Sequence, residues 1–394
     1  TPGPPFFPSQ FSRYDRSQPA GNSSMSTFDA GIELLANILH TYYTPLLVLL
    51  GSIGNVISVY VFYVSKLRMH STSLYLSVLA ISDTIFLIQL LPPWLNAMQI
   101  TNLFHRPGFC QMIVYSTYAS CCCSAWLVVA FTVERFVAVL YPLRRNRMCT
   151  VARAKTIIGV LVLSSMVANL PVLKYASSSA NDCNIDMEYI EVAARFNVAD
   201  TMVSFTLPLG LIILLNSRIV AKVWRRGRER RALQAAAAAY PHLAAPQRAL
   251  PPMRSQQRVT RMLLVVSSVF VVLNVPAYAM RIAAYSFDMN TGEYSGRWAA
   301  LQQLALTFFN TNFGINFILY CLSGQNFRRE LCVSVPCLRI FWRRRVDELH
   351  LNSRSGGRAG SVTSKCLLTP GSVKREWTKR RLAADTSVHY LSES

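Results

Sequence analysis

The 394-residue chain predicts an all-α membrane protein: a seven-transmembrane helix bundle followed by a short amphipathic eighth helix. Three observations predict it. Seven separate apolar stretches are each long enough to cross a bilayer. The composition is 52% hydrophobic against 15% charged, with a mean hydropathy of +0.28. The excess positive charge sits in alternate connections. A hydrocarbon core of about 30 Å requires roughly 20 apolar helical residues. An unpaired backbone group in lipid costs several kcal/mol, so these stretches have to be helices.

In chain order, residues 1–41 read as an extracellular tail, Pro/Gly/Phe-rich and then Ser-rich. The spans are expected at 42–65, 73–98, 110–140, 154–175, 197–224, 259–285 and 299–322, within a membrane domain of residues 42–323. No initiating Met or signal peptide is in view, as in a fragment of a longer chain, and span 1 could itself act as a signal anchor. Residues 232–255, with an alanine run and four prolines, read as a mobile insertion between spans 5 and 6. Residues 324–338 have the pattern of a helix lying on the membrane, with Phe327 and Leu331 on one face and Arg328 and Arg329 at the headgroups. Residues 339–394, mixing Lys/Arg with Ser/Thr, read as a disordered tail.

A net charge of +21 raises nucleic acid as a partner, but its placement argues for the membrane. Lys66 and Arg68 follow span 1, Arg144, Arg145, Arg147, Arg153 and Lys155 follow span 3, and Arg225, Arg226, Arg228, Arg230 and Arg231 follow span 5. The other connections are mixed or acidic, with Asp182, Asp186, Glu188 and Glu191 after span 4. Positive loops stay in the cytoplasm, so the amino terminus is expected outside and the carboxyl terminus inside, at the plasma membrane. Asn22, in the one Asn-x-Ser/Thr triplet, lies in the outer tail as a glycosylation acceptor. Of ten cysteines, Cys110 and Cys183 alone fall on the oxidising side, where a disulfide between them would staple span 3 to the loop after span 4.

The polar residues within the spans carry the chemistry. Asp83 sits in Leu79-Ala80-Ile81-Ser82-Asp83, where a carboxylate needs a partner, water or a cation. Glu134-Arg135-Phe136 closes span 3, and Arg135 alone would also read as a snorkelling helix-end arginine. Asn316 and Tyr320 lie four residues apart, on one face of span 7.

Together with Gly54-Asn55, Leu79-Ala80, Pro208 and Pro276, these residues resemble the rhodopsin-like (class A) G-protein-coupled receptors, and the resemblance covers all seven spans. It implies roles residue by residue. Asp83, Ser124, Asn312 and Asn316 would line a sodium site that favours the inactive state; no cofactor is required otherwise. Glu134 and Arg135 would form the G-protein switch, Phe270 and Pro276 the span 6 hinge, and Asn316 and Tyr320 the span 7 contribution. Departures are evident: Asn274 stands where a Trp is usual, Phe317 where a Pro is, and Asn216 where a Tyr is. Gln256 stands where some members have an acid, and span 4 lacks its usual Trp.

The segments Leu273-Asn274-Val275-Pro276 and Asn316 to Phe327 are similar to invertebrate neuropeptide receptors, such as those for FMRFamide, myosuppressin and CNMamide, and to thyrotropin-releasing-hormone receptors. Thr117 replaces the Asp of amine receptors, and Asn310 the Lys of opsins. An ordinary bundle would then point Trp94, Thr117, Tyr118, Cys121, Phe196, Asp200, Asn274, Arg281, Tyr285, Gln302, Gln303 and Leu306 into an outer cavity. There Arg281 would bind a peptide carbonyl or amidated end in fork geometry, and Asp200 a peptide cation. The alternative is that Asp200 and Arg281 pair with each other.

Partners implied are an extracellular peptide, a heterotrimeric G protein, an arrestin, a receptor kinase acting on the Ser/Thr-rich tail, and membrane lipids. Cys332 and Cys337 are palmitoylation candidates. The chain reads as a receptor and not an enzyme: no Gly-x-Ser-x-Gly within a span and no His-Glu-x-x-His is present. A lipid or other nonpeptide ligand is the second reading. An ion-coupled transporter using Asp83 is the remote one, disfavoured by the want of internal repeats.

Overall fold

The computed structural model of the chain describes residues 27–101, 104, 106–178, 183–239, 254–286 and 297–334. Asn22, Cys337, the tail from 339 and the side chains of Tyr285 and Gln256 fall outside what is described. The chain divides into two units, Thr1–Arg328 and Arg329–Ser394. The first holds every span. Six helices are long and apolar enough to cross a membrane: Asp29–Val64, Ser71–Ala97, Phe109–Leu140, Val151–Tyr175, Ile190–Glu229 and Val259–Ala283. The seventh is a pair, Trp298–Gly314 and Asn316–Ser323, bent by 57°.

Two spans differ most from their expected bounds, and span 6 starts at Arg254 rather than 259. Span 1 starts before residue 42, because Thr27–Ile38 is already α-helical and a π-turn at Leu39–Tyr43 joins it to Thr44–Val64. The acids Asp29 and Glu33 interrupt the apolar run without interrupting the helix. Span 5 begins at Ile190, and its helix runs on to Ala239. The alanine run, expected within a mobile insertion, is therefore helical that far, as the highest helix propensity of any residue favours. Both π-turns, Leu39–Tyr43 and Thr201–Thr206, end just before a proline, Pro45 and Pro208. A proline ring inside a helix removes one hydrogen bond and clashes with the carbonyl four residues back. A local π-turn absorbs that disruption without ending the helix.

Span 3 is the axis of the bundle, in contact with spans 2, 4, 5 and 6. Span 4 is peripheral: 17% of its most apolar window is buried, against 61% for span 2. Two apolar clusters fix the packing. One, around Phe104, Val114, Tyr115 and Val172, closes the end that bears the disulfide. The other joins spans 1, 2 and 7 through Leu47, Phe86, Leu87 and Phe313, with the Phe86 and Phe313 rings stacked 3.7 Å apart. Spans 1 and 7 meet at glycines. A Cβ on Gly51 would lie 2.8 Å from the Gly314 Cα.

After span 4 the chain forms a hairpin that sequence reading did not anticipate. Strand β1 (Ala176–Ser178) pairs antiparallel with β2 (Cys183–Ile185), with Ser178 opposite Cys183. Cys183 is bonded to Cys110 at the start of span 3, with the two Cα atoms 5.8 Å apart. Gly108, at φ 84°, caps that start and takes a left-handed conformation few other residues tolerate. Beyond span 7, Gly324 leads into a helix, Gln325–Ser334, where an amphipathic eighth helix was expected over 324–338. Phe327 packs on Phe62, Tyr320 and Phe317. Arg328 Nη1 donates to the Cys321 and Leu322 carbonyls, both at 2.9 Å, satisfying acceptors left open at the end of span 7.

Candidate functional site

Polar residues form three groups at successive depths, from the disulfide end to the Arg135 end. At the disulfide end, the π-turn in span 5 brings Asp200, Thr201, Ser204 and Phe205 toward span 6. Arg281 Nη1 lies 3.7 Å from Asp200 Oδ2, donates to Thr201 Oγ1 at 3.2 Å, and holds its guanidinium 5.0 Å from the Phe205 ring centroid. Ser204 Oγ donates to Asp200 Oδ1 at 2.7 Å. Asp200 is buried, with 5% of its side chain exposed, whereas 26% of the Arg281 side chain stays open. The pairing held open as an alternative is thus the one observed, at a distance that leaves room for competition.

The other expected pocket residues separate into two sets. Tyr118 reaches across to span 5, its hydroxyl donating to Asn197 Oδ1 at 3.1 Å. Thr117 Oγ1 donates to Gln89 Oε1 at 3.1 Å and to the Ile113 carbonyl. Phe196 packs with Tyr118 and Tyr175, and Cys121 lies against the Phe86 cluster with Phe205. Asn274 and Leu306 are buried, and Asn274 turns back to donate to the Phe270 carbonyl at 2.7 Å. Trp94 and Gln303, by contrast, engage span 1: Trp94 Nε1 donates to the Thr41 carbonyl, and Gln303 Nε2 lies 3.2 Å from His40 Nδ1. Gln302 is part-buried in span 7. Gln89, Asn197, Phe205 and Tyr175 were missed. The first two had a readable signal, an amide inside an apolar span; the aromatics had none beyond ordinary packing.

Midway, Asp83 is wholly buried. Its Oδ1 accepts from Ser124 Oγ at 2.8 Å and its Oδ2 from Asn316 Nδ2 at 2.7 Å. Ser82 Oγ lies 3.0 Å from Ser124 Oγ and joins the set unannounced by the sequence argument. Asn312 is buried one turn before Asn316. Among the described residues the two side chains that bond the carboxylate, Ser124 and Asn316, are neutral. The two Asp83 carboxylate oxygens and the Ser124 hydroxyl are oxygen donors of the kind a hard cation takes, whereas Asn316 turns its Nδ2 toward the carboxylate. Asn55 Nδ2 donates to the Phe313 carbonyl at 2.9 Å, fastening span 1 beside the break in span 7.

At the far end, Glu134 Oε1 accepts from Ser71 Oγ at 2.8 Å and Thr72 Oγ1 at 2.7 Å, and pairs with Arg135 Nη2 at 2.6 Å. Arg135 Nη2 also contacts Thr72 Oγ1 directly. Ser71 and Thr72 hold the pair against span 2, a partnership the sequence did not reveal. Arg135 Nε and the Tyr320 hydroxyl are buried without a protein hydrogen bond in this conformation. Asn216 and Ser267 clasp spans 5 and 6: Asn216 Nδ2 donates to Ser267 Oγ at 2.8 Å. In the adjoining loops, partial enclosure and the Arg135 and Arg145 guanidinium groups hold the His70 imidazole below its usual value. Burial and then Glu134 push the Cys149 thiol up.

A seven-span helical bundle, stapled at one end and carrying a buried charged pair at the other, has the architecture of a membrane receptor of the seven-helix class. The sequence model for the 7 transmembrane receptor (rhodopsin family) matches residues 54–320, more than half of the chain, and the chain belongs to that family of signalling receptors rather than to an enzyme family. It is 28% identical to somatostatin receptor type 1 of Rattus norvegicus, over 75% of this chain and 72% of that protein. Somatostatin receptor type 3 of Mus musculus is 27% identical, over 66% of this chain and 60% of its own length. Galanin receptor type 2 of Homo sapiens is 23% identical, over 80% of this chain and 78% of its own.

Proposed function

We propose that the chain is a plasma-membrane receptor for an extracellular amidated neuropeptide, with its amino terminus outside, and that it activates heterotrimeric G proteins by outward movement of span 6. The observation that carries the reading is the Asp200–Arg281 pair at 3.7 Å, set between spans 5 and 6 at the disulfide end. The names of the relatives, receptors for somatostatin and galanin, support a peptide. A peptide cation displaces the guanidinium from Asp200, and the freed Arg281 fork takes a peptide carbonyl or the amidated end. Each exchange is a contact with span 5 or span 6, so binding is sensitive to the distance between them.

Span 6 carries Pro276 in its interior, a ring that weakens the helix there and makes a hinge. Movement at that hinge breaks the Asn216–Ser267 clasp and opens the space beside Arg135. Two buried polar atoms lacking partners, Arg135 Nε and the Tyr320 hydroxyl, each cost about 1–3 kcal/mol in the closed form and gain partners in the open one. The agonist acts only through its higher affinity for the open state, and the G protein must enhance agonist affinity in return. A sodium ion at Asp83, Ser124, Asn312 and Asn316 holds the closed form. Arrestin and a receptor kinase act on the phosphorylated tail, and Cys332 and Cys337 accept palmitate. A lipid or other nonpeptide agonist is the second reading, favoured by the apolar lining around Phe205 and Phe309.

The test is a calcium readout in cells bearing the receptor and a promiscuous G protein, screened with amidated neuropeptides. Arg135→Ala and Arg281→Ala serve as surface-expressed comparisons. A response lost in Arg135→Ala and weakened in Arg281→Ala is expected. A wild-type response to lipids alone would overturn the peptide assignment.

A further inference from the structure

The helix of span 5 is too long for the bilayer. Its stretch Ile190–Glu229 has 40 residues, about 60 Å at the helical rise, roughly twice the hydrocarbon core. The excess lies largely at the Arg135 end, where the helix runs to Ala239. Along the face turned away from the bundle the large side chains change character once, with Ser217 between Ile213 and Val220 bonded back to the Ile213 carbonyl. Ile213 and Val220 are 47% and 49% exposed, and Trp224 is 76% exposed. The next residues on that line are Arg228 and Arg231, both exposed. At 3.6 residues per turn all five fall within about 40° of the Trp224 direction. Lys222 and Arg226 lie on the opposite side and are part-buried.

The order apolar, Trp, Arg, Arg on one face is that of a helix leaving a membrane. A Trp ring settles at the headgroup level. Arg228 and Arg231 follow about 6 and 10 Å further along the axis. The headgroup zone adds about 5–8 Å on each side, and long arginine side chains reach back into it. Neutralisation from within the segment is already spent. Between residues 201 and 286 the sequence has one acid, Glu229, and Glu229 Oε1 accepts from Arg225 Nε at 3.2 Å.

We infer that this face binds the phosphorylated headgroup of a phosphoinositide lipid, with Trp224 setting the depth and Arg228 and Arg231 gripping the phosphate. Guanidinium forks match phosphate oxygens in bidentate geometry, and two adjacent forks match a headgroup with more than one phosphate. The occupant is a lipid rather than a soluble acidic protein because the basic residues continue an exposed apolar stripe, Ile213 and Val220, which acyl chains cover. The inference stands without reference to the identity of the agonist.

The experiment measures retention of a radiolabelled bisphosphorylated phosphoinositide by the purified full chain in neutral micelles, beside phosphatidylserine at matched charge. Saturable phosphoinositide binding is expected, weakened about five-fold for each arginine lost in Arg228→Gln and Arg231→Gln. The combined Arg145→Gln, Arg147→Gln variant, which removes equal charge elsewhere at that end, is expected to bind as wild type. Glu229→Gln, which frees Arg225, is expected to bind more tightly. Equal retention of phosphatidylserine, or equal loss in the Arg145/Arg147 variant, would reduce the effect to surface potential and overturn the site. Undiminished lipid binding in the Arg228/Arg231 variant, with G-protein signalling lost, would reassign the face to a protein partner.

Discussion

A single carboxylate, Asp83, shows how much one residue commits the interior. Buried acids in a membrane are expensive, and among the described residues this one is met by neutral donors from spans 3 and 7. Asp83→Asn keeps the shape and removes the charge. Agonist affinity measured in sodium chloride and in a sodium-free salt is expected to differ for the wild type and to coincide for the variant; a persisting sodium effect would place the ion elsewhere. Asp200 and Arg281 behave differently, because their 3.7 Å separation and the exposure of Arg281 make the pair weak on its own. Arg281→Ala is therefore expected to change the melting temperature little while lowering agonist potency at least tenfold, read as melting and calcium response on the same variant. Asp83, Asp200 and Arg281 were legible in the sequence as charges at improbable depths. Of their partners, Ser124 and Asn316 came with the family resemblance, whereas Thr201 and Phe205 were not legible, since a threonine or phenylalanine inside a span carries no mark of what it faces.

Helices carry the next set of constraints. Span 7 bends by 57° although Phe317 occupies the position where a proline is usual. The bend falls at Gly314 and Ile315, and the missing Cβ at Gly314 admits Leu47 and Gly51 of span 1. Glycine at a close crossing thus does what proline was expected to do. Gly51→Ala is expected to lower the melting temperature, with overpacking costing about 1–3 kcal/mol. Gly159→Ala in span 4, whose Cβ meets nothing within 4 Å, is expected to leave it unchanged or raise it. Equal effects would mean that spans 1 and 7 can part freely. The Asn216–Ser267 bond is the corresponding restraint on span 6. Asn216→Ala leaves Ser267 its bond to the Leu263 carbonyl, so only the link between helices is lost, about 1 kcal/mol. Basal signalling per surface receptor is expected to rise about five-fold; no rise would show that the clasp survives opening.

Across the whole bundle, span 3 is the axis and the Cys110–Cys183 bond ties its start to the β1–β2 hairpin over a sequence separation of 73. A disulfide closing a long loop stabilises by about 2–4 kcal/mol. Cys183→Ser is expected to lower both surface expression and agonist binding, and dithiothreitol is expected to weaken binding to the wild type with no further effect on the variant. Insensitivity of the wild type to reduction would show that the bond does not support binding.

Span number, the two disulfide partners and the depth of each charge were determined by sequence alone, because lipid thickness, backbone satisfaction and the cost of burying charge act on each segment locally. The helical start at Thr27, the hairpin, and the Ser71 and Thr72 hydroxyls that bind Glu134 were decided by tertiary structure. Each depends on which helix face meets which neighbour. That is a relation between segments distant in the chain, and periodicity within one segment does not encode it.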